Sequence, residues 1–144
     1  MGMSRIFWDT NLFIYLFEDH GHHSHEASTL LKKMAARGDD LITSALTIGE
    51  ILARPMREGD IDRCNQYENA IRSNAVISSF DIAAARHFAK IRSRQERKIR
   101  PPDAIQLACA ASAGVDLFLT NDKRLHDIRV EGIHFITSAD RAPL

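Results

Sequence analysis

Cysteine, surplus charge and long apolar runs are all scarce in this chain, and each shortage excludes something. Among 144 residues there are only two cysteines, Cys64 and Cys109. Two thiols at no metal-ligand spacing make neither a disulfide framework nor a zinc site, so both read as core or half-buried thiols. No apolar run approaches the roughly 20 residues that span a membrane. The start, Met1 to Arg5, lacks the apolar stretch of a secretory signal, and Ile6 stands where a myristoylation signal needs Ser or Thr. Met1-Gly2 reads as a cloning remnant, and the chain is expected in the cytoplasm. Lys plus Arg equals Asp plus Glu at 19 each, so no global basic field announces a nucleic-acid partner, and a local patch must hold any such partner. Repeats, low-complexity segments and linkers are missing too. What remains is one domain over residues 1–144, with 44% hydrophobic residues to supply its core.

The most informative stretch is Ile6-Phe7-Trp8-Asp9-Thr10-Asn11. Three large apolar residues in a row suit a strand buried on both faces, as in a parallel sheet. The run stops on a carboxylate, which in such a place needs a donor, a cation or an opening to water. In open α/β sheets the ligand crevice lies at the carboxyl ends of the strands, where Asp9 falls. The alternative is an Asp that merely caps the next helix.

Leu12 to Phe17 reads as helix, capped by Thr10 or Asn11 and ended by Glu18-Asp19 and Gly21. Ala27, Leu30, Leu31 and Met34 recur at helical spacing between Ser24 and Arg37, and Gly38 stops them. Leu41-Ile42-Thr43 makes a second strand, followed by a helix from Ser44 to about Pro55. A weaker helical period covers Ile61 to Ser73, and Val76-Ile77-Ser78 is a third strand. Asp81 caps a helix whose apolar face is Ile82, Ala85, Phe88, Ala89 and Ile91. Pro101-Pro102 breaks the chain after its basic end, and Asp103 opens a helix running to Ala113, closed by Gly114. Leu117 to Thr120 and His134 to Thr137 complete five strands, with a short helix after Asn121-Asp122. Strands separated by helices predict a three-layer α/β/α sandwich around a central, mainly parallel five-stranded sheet.

Three further acids stand out. Asp122 follows the fourth strand as Asp9 follows the first, with an Asx-turn as its simpler explanation. Glu50 shares a helix face with Thr47 and Arg54, and an exposed Glu50–Arg54 pair would account for it. Asp103 begins a helix apolar almost all round, an odd place for a charge that the helix dipole only partly compensates. Four carboxylates meeting in one crevice repel, by about 3 kcal/mol per pair at 5 Å and an effective dielectric of 20. Convergence therefore implies cations. An all-oxygen set suits Mg²⁺ or Mn²⁺, one or two ions, which can clamp the attacking and leaving oxygens of phosphodiester hydrolysis.

Asp9-Thr10-Asn11 after a strand, Glu50 in a helix, Pro102-Asp103-Ala104 at a helix start and Thr120-Asn121-Asp122 after a late strand together resemble the PIN-domain family. The likeness is closest to the VapC-type toxins of toxin–antitoxin pairs and runs from Phe7 to Phe135. It implies a Mg²⁺- or Mn²⁺-dependent endoribonuclease with Asp9, Glu50, Asp103 and Asp122 as catalytic, metal-holding acids. Thr10, Asn11, Thr120 and Asn121 would support the site. It also implies a VapB-like antitoxin and a homodimer, for which Leu12, Phe13, Tyr15 and Leu16 offer more apolar surface than a small core needs. Two other functions share parts of the pattern: a PIN fold that binds without cleaving, and a receiver-like phosphoacceptor, which needs an acidic pair after the first strand. His20, His22, His23 and His25 read as a solvated loop rather than a metal site, for want of completing ligands. Arg94, Arg97, Lys98 and Arg100, a basic run beside Asp103, are expected either to contact the RNA backbone or to form a solvated helix end.

Overall fold

Ile6, Phe7 and Trp8 are all fully buried in the first strand, β1 (Arg5–Trp8). A strand can bury consecutive side chains only when both faces are covered, because they point alternately up and down. A computed structural model describes residues 3–94, 96 and 98–144 and supplies both covers. After β1 come α1 (Thr10–Phe17), α2 (His22–Arg37), β2 (Asp40–Ser44), α3 (Ala45–Arg57), α4 (Ile61–Asn74) and β3 (Val76–Ser78). The second half holds α5 (Ile82–Ser93), α6 (Pro101–Ala113), β4 (Val115–Leu119) and β5 (Ile133–Thr137), with 3₁₀ turns at Lys123–Leu125 and Ala139–Arg141.

The strands pair in parallel in the order β3-β2-β1-β4-β5. Phe7 points to the layer of α5 and α6, where it stacks on Phe118 at 4.9 Å, while Ile6 and Trp8 point to the layer of α1 to α4. The result is the expected three-layer sandwich, and its sheet is parallel throughout. Emptying a centre such as Phe7 to Ala costs about 3–5 kcal/mol in comparable cores. The chain builds outward from β1 to β3 and then crosses back to β4, so strand order reverses between β1 and β4. That reversal opens a crevice at their carboxyl ends.

Several local expectations shift. Asp9, not Thr10 or Asn11, caps α1, accepting the Thr10 N–H at 2.9 Å. Pro101 and Pro102 occupy the first turn of α6, where a missing N–H is harmless, instead of breaking the chain before it. Asp81 does cap α5, but that helix turns Ala84 and Ile91 inward and leaves Ile82 75% exposed. Three of the four clustered histidines, His22, His23 and His25, lie in the first turns of α2 and not in a loop. Leu12 and Phe13 are buried in the chain's own core, which removes them as surplus surface for a dimer. Cys64 and Cys109 are free and buried; burial, with Asp81 adding to it against a Ser78 hydrogen bond, pushes the Cys109 thiol up to about 11, so it stays protonated. Among the described residues, no helix is long and apolar enough to cross a membrane.

Candidate active site

Asp9 leaves β1 with its own N–H on the Leu119 carbonyl at 2.9 Å, so the last rung between β1 and β4 positions the first carboxylate. Its Oδ2 accepts the Thr120 hydroxyl at 2.8 Å, and its Oδ1 accepts the Thr10 N–H and, at 3.5 Å, the Gln106 amide. Burial raises the pKa of Asp9 to about 6; the hydrogen bonds from Thr120 and Thr10 oppose the rise, and the charges of Glu50 and Asp103 add to it. Among the described residues no cation pairs with this carboxylate.

Glu50 on α3 is exposed, and its simpler partner is not the one it takes. Arg54 pairs with Glu18 and Glu58, each at 3.7 Å, whereas Glu50 accepts the Thr10 hydroxyl at 2.6 Å. Behind it runs a buried polar chain. The Gln106 amide donates to Thr10 Oγ1 at 3.1 Å and to Thr47 Oγ1 at 2.8 Å, Thr47 and Thr43 share a hydrogen bond of 2.8 Å, and the Thr43 hydroxyl donates to the Trp8 carbonyl at 2.9 Å. The Ser44 hydroxyl donates to the Gln106 carbonyl oxygen. Buried polar groups persist when each finds a partner, and here the partners carry orientation from the sheet to Thr10, Asp9 and Glu50.

Asp103 and Asp122 are held differently. Asp103, in the first turn of α6, accepts the Arg100 N–H at 3.2 Å and the Arg124 guanidinium at 3.3 Å. Asp122 accepts the Arg124 N–H at 3.1 Å and Nε at 2.9 Å, and Nη2 of the same arginine binds its other oxygen. Hydrogen bonds from Arg124, reinforced by its charge and that of Arg100, hold the Asp122 carboxyl below the usual range. Arg124 thus bridges two acids in the manner of a cation.

All four acids line one open cavity of about 310 Å³, together with Thr10, Asn11, Arg100 and Gln106. Thr120 and Asn121 stand at its edge: Thr120 Oγ1 accepts the Asp122 N–H at 3.1 Å, and the Asn121 N–H reaches Asn11 Oδ1 at 3.4 Å. The oxygen donors suit a hard divalent ion in kind. As the side chains stand, with Arg124 between two of them, no group of three His, Cys, Asp or Glu among the described residues is gathered tightly enough to hold one. The basic run has other partners. Lys98 pairs with Asp127 at 2.7 Å, Arg94 with Glu96 at 3.1 Å and with the Arg129 carbonyl, and among the described residues of the run only Arg100 lines the cavity. Arg97 lies outside the described residues.

Sequence reasoning missed Gln106, Thr47 and Arg124. Gln106 had a signal, as the one amide in an apolar helix. Thr47 had none of comparable strength, and Arg124 needed the fold to turn it back on Asp103.

No curated protein sequence matches this chain. Solved structures do share its fold. A VapBC complex of Salmonella typhimurium bound to DNA aligns over 95% of this chain and 99% of its own, with a TM-score of 0.69 and 23% identity. A VapBC2 complex of Rickettsia felis bound to a promoter fragment aligns over 93% and 97%, with a TM-score of 0.69 and 15% identity. A toxin–antitoxin complex of Klebsiella pneumoniae aligns over 89% and 94%, with a TM-score of 0.63 and 24% identity. The PIN-domain family model matches residues 6–131, from the strand that delivers Asp9 past the turn that carries Asp122 and Arg124, and the chain therefore belongs to the PIN-domain family.

Proposed function

We propose that the chain is a divalent-metal-dependent endoribonuclease and acts as the toxin of a toxin–antitoxin pair. One observation carries the reading: carboxylates just after β1, on α3, in the first turn of α6 and just after β4 line a single cavity at the reversal of strand order, and the deepest of them, Asp9, pairs with no cation among the described residues. Asp9, Glu50, Asp103 and Asp122 would hold Mg²⁺ or Mn²⁺. When bound, such an ion activates water and neutralises charge on a phosphodiester in the manner of metal-assisted hydrolysis.

The chain's own residues prepare that chemistry. Thr120 and Gln106 aim the two oxygens of Asp9, and Thr10 fixes one oxygen of Glu50. Arg100, at the cavity wall, is placed to receive a phosphate oxygen once Asp103 and Asp122 turn toward an ion. The solved structures that share the fold are toxin–antitoxin complexes, which supports an antitoxin partner and the assignment as toxin. A homodimer is part of the same reading.

The test is cleavage of single-stranded RNA with and without a chelator. Cleavage should stop in excess EDTA, return with Mg²⁺ or Mn²⁺, and be lost in Asp9→Asn and Glu50→Gln. Undiminished cleavage in EDTA would overturn the metal dependence, and a fully active Asp9→Asn variant would overturn the site.

A further inference from the structure

A second cavity, of about 480 Å³, opens beyond Asn121, also at the carboxyl ends of the strands. Its lining includes His22, His23, Asn121, Lys123, His126 and Arg141. Two of these belong to a pile of rings. Tyr15 stacks on His23 with centroids 4.7 Å apart and planes 16° from parallel, and His22 lies against His23 at 4.1 Å with its plane tilted by 36°. His22 is exposed and ends the pile. Nδ1 of His23 is enclosed and finds no hydrogen-bond partner among the described residues, so packing and not hydrogen bonding at that nitrogen holds the ring.

The pile is tied to the acidic cavity. The Asn121 side-chain amide donates to the Tyr15 hydroxyl at 2.8 Å, and the Asn121 N–H reaches Asn11, which lines the acids. Lys123 directly follows Asp122 in the chain and lines the second cavity. The charges decide what the second cavity suits. Lys123 and Arg141 are balanced by Glu26 and Asp140 in the same lining, so it is not a clamp for a bare polyanion. A flat, nearly neutral group that extends the pile fits better, and an unpaired nucleobase is such a group.

We propose that this cavity is a stacking subsite for one unpaired base of an RNA strand whose scissile phosphate lies among the acids. His22 presents the stacking face, and Lys123 meets the backbone between base and scissile bond. The inference rests on the ribonuclease reading above, and its experiment separates the two.

Steady-state cleavage is measured on a single-stranded RNA with one mapped cleavage point, and then on copies with an abasic residue at each position in turn. One position within about two nucleotides of the cleaved bond should raise KM about 5- to 150-fold, the range for loss of one base–aromatic stack, with kcat little changed. His22→Ala should raise KM similarly on the intact strand and erase the abasic penalty, while His22→Phe should retain both tight binding and the penalty. A flat abasic scan on the unaltered protein overturns the subsite, as does a penalty that persists in His22→Ala. If the RNA is cleaved and the scan is flat, only the subsite fails. If no RNA is cleaved in Mg²⁺ or Mn²⁺, the ribonuclease reading fails with it.

Discussion

The four acids of the cavity divide into two pairs that the protein holds by opposite means. Asp9 and Glu50 rest on hydroxyls and an amide, all neutral, backed by the buried chain from Gln106 to Trp8. Asp103 and Asp122 rest on guanidinium groups of Arg124 and Arg100. Neutral donors orient a carboxylate without cancelling its charge, so they only partly offset the burial that raises the Asp9 pKa to about 6, whereas the hydrogen bonds and charge of the arginines hold the Asp122 pKa down. One half of the site is set to attract a cation, and the other already has one from its own chain.

The largest break in this comparison is Asp9→Asn. RNA cleavage should fall at least a hundredfold, measured on a labelled single strand, yet the metal-free protein should melt higher at pH 8 than the parent. The sign follows from linkage: an acid whose folded pKa lies above its unfolded value destabilises the fold when ionised, so the penalty grows as pH rises from about 4 through 6. The gain should be on the order of 1–3 kcal/mol at pH 8 and vanish below about pH 4, which thermal melts across that range can check. A constant gain at every pH would show that charge on Asp9 is not its origin.

Gln106→Leu sharpens the neutral half. It removes the shared donor of Thr10 and Thr47 and leaves the Ser44 hydroxyl without its acceptor, for a loss of about 1–3 kcal/mol in chemical denaturation. Divalent ions should also bind more weakly by calorimetry, because Thr10 and Asp9 lose an anchor.

Arg124→Gln tests the charged half. Without the guanidinium the Asp122 pKa returns toward its ordinary value. A lowered folded pKa contributes stability above the unfolded value that is lost as pH falls through the folded one, so the variant should lose part of the parent's stability at neutral pH and show a flatter acid limb. Divalent-ion affinity should rise, since the ion no longer competes with an internal cation, and calorimetry on the metal-free protein reads this directly. Weaker ion binding would mean that Arg124 positions the acids for metal and does not substitute for it.

The smallest expected effect is Lys98→Gln. Its ammonium is engaged with exposed Asp127, and solvent screening leaves such exposed pairs little to contribute. Stability and RNA affinity should change little. A large drop in affinity with a smaller salt slope would restore Lys98 as a backbone contact.

Much of this was legible along the chain. The run Ile6-Phe7-Trp8 announced a strand covered on both faces, because a parallel strand between two helical layers has no polar side to alternate with. Acids at the ends of such runs are legible for the same reason, since a charge beside a buried strand needs a purpose. Amphipathic phase was less legible: Ile82 is exposed while Ala84 is buried, because contact with α6 sets the rotation of α5 and the hydrophobic period alone leaves it loose.

Local rules along the chain set the alternation of strands and helices and the positions where apolar runs stop on carboxylates. These follow from local periodicity, capping and the cost of burying charge, which act over a few residues. Only the tertiary structure decided which donors each acid receives. Arg124 lies 21 residues from Asp103, and Gln106 lies 96 from Thr10. Contacts at such separations exist because the reversal of strand order brings β1 and β4 side by side, and no local rule encodes that neighbourhood.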